Sequence, residues 1–175
     1  MLKLFDWVGD TMNYKIREIY KNEYHLLENF LYEAIFIPKD AEIPPKSIIE
    51  KPELQIYINE FGEYADDRCL IAEVENKIIG AVWTRIMNDY GHIDDKTPSL
   101  AISLYKSFRN QGIGTDLMIK MIELLKKSGY DGVSLSVQKE NYAFKMYKKL
   151  GFKILIENYE EYIMKLEYIM KLDNM

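Results

Sequence analysis

The spacing of apolar positions changes several times along the chain, and each change marks an element. Lys15 to Tyr20 reads as a short first strand. From Asn22 to about Phe36, Tyr24, Leu27, Leu31 and Ala34/Ile35 recur at helical spacing behind a capping asparagine. Pro38, Pro44 and Pro45 make the next stretch irregular, because proline removes a backbone donor and restricts the residue before it. Pro52 suits the first turn of a second helix running through Phe61 and stopped by Gly62. Arg68 to Val74 and Ile78 to Met87 are β-rich runs joined by the turn Glu75-Asn76-Lys77. The polar stretch Asn88 to Pro98, with His92, Asp94 and Asp95, reads as a flexible, solvated loop.

The second half alternates strand and helix. Leu100, Ile102 and Leu104 form a strand pattern, whereas Leu117, Met118, Met121, Leu124 and Leu125 recur at helical spacing up to Ser128-Gly129. Gly132 to Val137 is a further strand. Asn141 then caps a helix with Ala143, Phe144, Met146/Tyr147 and Leu150 on one face and Gly151 at its end. Phe152 to Asn158 and Glu160 onward close the chain as a strand pair. The tail repeats itself directly, Glu161–Leu166 followed by the identical Glu167–Leu172. The shift of six is even, so either copy presents the same side chains to the same sheet face.

Candidate chemistry sits where the Leu100 strand meets its helix, at Arg109-Asn110-Gln111-Gly112-Ile113-Gly114-Thr115. A helix start carries unpaired N–H groups and the positive end of the macrodipole, so an anion placed there is bound by backbone alone. Gly112 and Gly114 lack Cβ and let phosphate oxygens approach the main chain, and Arg109 offers a guanidinium fork to the same charge. The pattern is not that of a nucleotide triphosphatase loop, and Leu117 stands where a dinucleotide fingerprint would have its third glycine.

The loop resembles the Arg/Gln-x-x-Gly-x-Gly/Ala signature of the GNAT superfamily of N-acetyltransferases. A second block, Asn141-Tyr-Ala-Phe-Lys-Met-Tyr147-Lys-Lys-Leu-Gly151-Phe152, is similar to that family's Asn-x-Ala-x-x-Leu-Tyr-x-x-Leu-Gly-Phe helix. The resemblance spans about Met12 to Leu166. It implies one α/β domain from residue 12 to 175 after an extension of residues 1–11, with a mixed, mostly antiparallel, splayed sheet flanked by helices. It implies acetyl-CoA as cosubstrate and a primary amine of a small molecule or peptide as acceptor. The coenzyme contacts it implies are Ile102, Leu104, Arg109, Asn110, Gln111, Gly112, Ile113, Gly114, Thr115, Asn141, Phe144 and Tyr147. Tyr147 would be the general acid toward the departing thiolate, and a main-chain N–H near Leu104 would stabilise the oxyanion. The segment carrying Tyr57, Phe61 and Tyr64 corresponds to the acceptor pocket; these aromatics either touch substrate or pack on the sheet. The general base is either Glu73 or solvent through ordered waters. The rival reading is a non-catalytic acyl-CoA-binding regulator. Lys106 stands where many relatives have proline, and Asn110 where they often have glycine.

Composition narrows the partners. The net charge of −5 argues against general nucleic-acid binding. Lys106 to Lys153 alone carries +6, which leaves −11 for the remainder. A basic phosphate-loop segment suits a polyanionic coenzyme, and an acidic remainder suits a cationic amine. No apolar run reaches the ~18 residues of a membrane span, and the N-terminus lacks a signal-peptide pattern, so a cytoplasmic location is expected. The single cysteine, Cys69, has no partner for a disulfide or zinc site and reads as a buried small hydrophobe, and His25 reads as an ordinary helix residue. No metal is expected. The chain would act as a monomer or homodimer.

Overall fold

The computed structural model describes residues 12–168. One seven-stranded sheet runs in the order β1-β2-β3-β4-β5-β7-β6. Its strands are β1 (Lys15–Glu18), β2 (Arg68–Val74), β3 (Lys77–Arg85), β4 (Ser99–Leu104), β5 (Gly132–Gln138), β6 (Lys153–Glu157) and β7 (Glu161–Glu167). The helices are α1 (Leu27–Ala34), α2 (Pro52–Gln55), α3 (Ile113–Lys127) and α4 (Ala143–Lys149). All neighbouring strands are antiparallel except β4 and β5, which are parallel with α3 as the crossover between them.

Alternation along each strand divides the core in two. Leu70, Val82, Leu100, Val133 and Leu135 face α3, whose Leu117, Met118, Met121 and Leu125 are fully buried against them. Burying each such side chain is worth about 1.5–3 kcal/mol, well above the fraction of a kcal/mol that separates helix propensities, so packing fixes how α3 is turned. Ile71, Ala81 and Trp83 face the other way, onto Leu27, Phe30 and Leu31 of α1. Cys69 is buried in this second core. Glu75 and Asn76, with φ of 48° and 63°, form the two-residue turn between β2 and β3, a conformation that suits the right-handed twist of the strands.

Two helices differ from the sequence expectation. Before α1, Lys21–Leu26 is a 3₁₀ helix, and its start is capped by the Glu23 carboxylate accepting from the Tyr20 amide at 2.8 Å rather than by Asn22. The second helix stops at Gln55 instead of Phe61, because the buried Arg85 guanidinium donates to the carbonyls of Ile56 (3.0 Å) and Asn59 (2.8 Å) while pairing with both oxygens of Asp67. Carbonyls drawn to an outside donor leave the helical ladder. The Asn88–Pro98 loop is also less solvated than its polarity suggests: Gly91, Thr97 and Pro98 are buried, and the Gly91 carbonyl accepts from Ser134 Oγ at 2.7 Å. In the tail, β7 is built from the first copy of the repeat and Glu167, the first residue of the second; residues 1–11 and 169–175 lie outside the described residues.

Candidate active site

Strands β4 and β5 pair only where Ser99 meets Ser134, and the Ser134 amide donates to the Pro98 carbonyl at 3.0 Å. Beyond that point they part. Two parallel strands that diverge open a gap at their carboxyl ends, the place in such a unit where a ligand fits. The register with β3 decides what faces the gap. Tyr105 N–H bonds to Ile79 O at 3.0 Å, so its neighbour Leu104 opposite Gly80, and Ile102 opposite Val82, stand in non-hydrogen-bonded pairs with β3. Their own N–H and C=O groups therefore turn to the β5 side.

At the end of β4 a short 3₁₀ turn (Lys106–Phe108) leads to the loop before α3. Asn110 has φ 60° and Gly112 φ 85°, and these two left-handed residues fold the chain into the helix start. Asparagine is among the few non-glycine residues that adopt this conformation readily, which is why it serves here. Among the described residues, no amide from Asn110 to Thr115 donates to a protein acceptor, and no side chain caps α3. A Cβ on Gly112 would meet nothing within 4 Å, so the loop is open at this residue. Gly114 lies close to its neighbours: a Cβ there would stand 3.3 Å from Leu104 and 3.9 Å from Met146 of α4. The residues thus fit a diphosphate at the loop and an extended arm in the gap.

The Arg109 guanidinium, expected to add charge at the loop, is committed elsewhere. Its Nε donates to Leu104 O at 2.9 Å and its Nη2 to the Glu33 carboxylate at 2.9 Å, tying the end of β4 to α1. Gln111 donates to Ser107 O at 2.9 Å. Across the gap, Asn141 Oδ1 accepts from the Ala143 amide at the start of α4, and Tyr142, which sequence reasoning passed over, donates to Asn110 Oδ1 at 2.5 Å. Phe144 stacks on Tyr162 of β7 with centroids 5.0 Å apart. Tyr147 is buried on the inner face of α4 against Phe152, and its hydroxyl has no hydrogen-bond partner among the described residues. Burial pushes its phenol above the ordinary value, so it holds its proton at neutral pH.

The remaining expected residues do not converge on the gap. Glu73 is paired with Arg17 at 2.7 Å, and Arg17 also holds Glu23. Tyr57 and Phe61 are core residues and Tyr64 is exposed; Phe61 and Tyr64 flank Arg85 near the far end of β3, with Arg85 opposite the first residue of β4. A cleft of about 440 Å³ lies instead beside α1, with Glu33 and Tyr105 in its lining. Glu33 and Tyr105 carried no sequence signal, since their roles depend on contacts far apart in the chain.

The sequence model of the acetyltransferase (GNAT) family matches residues 18–152. The chain belongs to that family. The GNAT architecture extends to solved structures: PaiA N-acetyltransferase from Thermoplasma acidophilum, in complex with coenzyme A, is 22% identical with a TM-score of 0.64 over 90% of this chain and all of that one. The ribosomal-protein-S18-alanine N-acetyltransferase from Escherichia coli is 18% identical with a TM-score of 0.66, covering 93% of this chain and 99% of that one. Probable N-acetyltransferase camello of Xenopus laevis is 30% identical over 91 residues, 51% of this chain and 40% of that protein, so the match spans less than half of this curated relative. Within the GNAT domain, no described helix is long and apolar enough to cross a membrane, and no group of three or more described His, Cys, Asp or Glu residues is placed to hold a metal ion.

Proposed function

We propose that this chain transfers the acetyl group of acetyl-CoA directly to a primary amine. The observation that carries the reading is the row of unpaired amides from Asn110 to Thr115, at the mouth of the gap between β4 and β5. The amides of the loop bind the diphosphate, and the gap-facing groups of Ile102 hold the extended arm. Bound there, acetyl-CoA supplies an activated thioester. The Leu104 N–H, turned to the β5 side, donates in this reading to the acetyl carbonyl oxygen as it gains charge. Transfer forms a bond from the amine nitrogen to the acetyl carbon and breaks the carbon–sulfur bond; the neutral amine loses one proton and the sulfur gains one. Tyr147 donates on the sulfur side. Burial keeps this phenol protonated at neutral pH but makes it a weaker acid than a free tyrosine, so it donates only once charge has built up on the departing sulfur.

The amine must arrive neutral or lose its ammonium proton on the way. Glu73, locked to Arg17, is a weak candidate for that task, which supports solvent as the acceptor of the proton. Holding two reactants in line provides most of the acceleration. The test is release of free thiol from acetyl-CoA in the presence of a panel of primary amines, alongside calorimetric binding of CoA. Turnover on an amine supports the reading. Tight CoA binding without thiol release on any amine would make the chain an acyl-CoA-binding module instead.

A further inference from the structure

A hydrogen bond between two surface side chains spans the mouth of the gap between β4 and β5. Asn110 stands on the β4 side, in the loop before α3, and Tyr142 on the β5 side, as the N-cap residue of α4; the Tyr142 hydroxyl donates to Asn110 Oδ1 at 2.5 Å. The backbone is fixed at both ends of this link. Asn110 is held left-handed at φ 60°, two residues before Gly112. Tyr142 follows Asn141, whose side-chain and main-chain oxygens accept from the Ala143 and Phe144 amides, and its own carbonyl accepts from Lys145 at 3.0 Å. Beneath the link, Gly114 lies close to both Leu104 and Met146 of α4, so the two sides of the gap converge here. The side chain that crosses is free to turn: Tyr142 is 62% exposed, and exposed side chains change rotamer within nanoseconds.

We propose that Asn110 and Tyr142 form a strap over the mouth of the gap, which opens to admit the coenzyme and closes again over its bound arm. The inference rests on the coenzyme half of the acetyl-transfer reading and adds to it a control of entry and release. Both are positioning residues, since neither reaches the reacting atoms. One hydrogen bond favours the closed arrangement by roughly two- to twelvefold. The bond joins two protein groups and is the same in the free and the loaded chain, and a contact equal in both states shifts no equilibrium between them. It sets rates instead, because the coenzyme enters and leaves only through the open fraction. Asparagine supplies what glycine lacks at this position: glycine takes up the same positive φ but brings no side-chain acceptor. Asn110, where relatives often have glycine, thereby gains a task of its own.

The experiment passes CoA over the immobilised full chain and reads association and dissociation rates by surface plasmon resonance, for the wild type, Tyr142→Phe, Asn110→Gly and the two changes together. Phenylalanine keeps the ring and glycine keeps the path of the loop, so each variant removes the bond and little else. Each single change should raise kon and koff together by roughly two- to twelvefold, with Kd held within about twofold. The double variant should go no further than either single one, because the same bond is lost in all three. A rise in koff alone, with Kd weakened in step, would make Tyr142 a direct contact of the coenzyme and overturn the strap. Unaltered rates in Tyr142→Phe, or effects that add in the double variant, would overturn it as well. CoA that binds with the expected rates but is never turned over on an amine would sink the transfer reading and leave the strap in place; a wild-type chain that binds no CoA would sink both.

Discussion

Gly112 and Gly129 offer a matched pair of perturbations at the two ends of α3. Both have strongly positive φ, 85° and 89°, and at neither would a Cβ meet an atom within 4 Å. Changing either to alanine therefore adds only backbone strain, about 1–2 kcal/mol for a left-handed residue with a side chain. In a chain of 175 residues that corresponds to a fall in Tm of about 2–4 °C per kcal/mol for each variant. Their effects on coenzyme binding should diverge. Gly112 sits among the unpaired amides, and turning even one of them away from a diphosphate forfeits a charge-assisted hydrogen bond of about 1.5–3 kcal/mol, roughly tenfold to 150-fold in Kd. Gly129 sits at the opposite end, where no anion is proposed. Thermal denaturation and calorimetric titration with CoA measure both quantities on both proteins. Equal losses of stability with CoA affinity intact in Gly112→Ala would refute the claim that this helix start is the cradle.

Tyr147→Phe should lower kcat by roughly tenfold to a hundredfold while CoA affinity stays within a few-fold, because general-acid help is ordinarily worth about 10²-fold or more, the buried phenol is a weaker acid than usual, and the ring still fills its site; unaltered kcat would remove the phenol from the mechanism. With that phenol pushed up by burial, the rate should climb with pH as the amine deprotonates and show no downturn from Tyr147 below about pH 10, a profile readable from thiol release at saturating acetyl-CoA. Arg85→Met should destabilise the fold by about 3–5 kcal/mol in urea titration, since it strands the buried Asp67 carboxylate and frees the Ile56 and Asn59 carbonyls; wild-type stability would contradict that anchoring. Arg17 holds the Glu23 carboxyl below its ordinary value, so this pair stabilises the fold above the unfolded carboxyl pKa and the contribution is lost as pH falls through the folded one. Glu23→Gln should therefore flatten the loss of stability between pH 5 and acid, as read from denaturation midpoints, and an unchanged acid limb would argue against it.

What the sequence revealed follows the range of the interactions involved. The Asn110–Thr115 loop, the α3 stripe and the two-residue turn at Glu75-Asn76 are local, so their residue types and spacing announce them. The single β4–β5 pairing at Ser99 and Ser134 was legible only through resemblance to a family, because no local pattern says where two strands separate. The end of α2 was not legible, since it is dictated by Arg85, 26 to 29 residues further along. The same holds for Arg109, whose partner Glu33 is 76 residues away; a guanidinium beside two glycines looks like an anion ligand until the carboxylate that claims it is placed. Tyr57, Phe61 and Tyr64 were aromatic enough for a pocket, but the sheet and Arg85 use them for packing, and the cleft forms from α1 and the proline-rich stretch instead.

The central claim is that backbone amides at the start of α3 bind the coenzyme's diphosphate while the end of β4 holds its arm. Titrating CoA into uniformly ¹⁵N-labelled protein and following each amide resonance tests this most directly. The largest shifts should fall on Gln111 to Thr115, with Ile102 and Leu104 moving in the same titration. Saturable binding that leaves those amides unmoved and shifts residues elsewhere would contradict it.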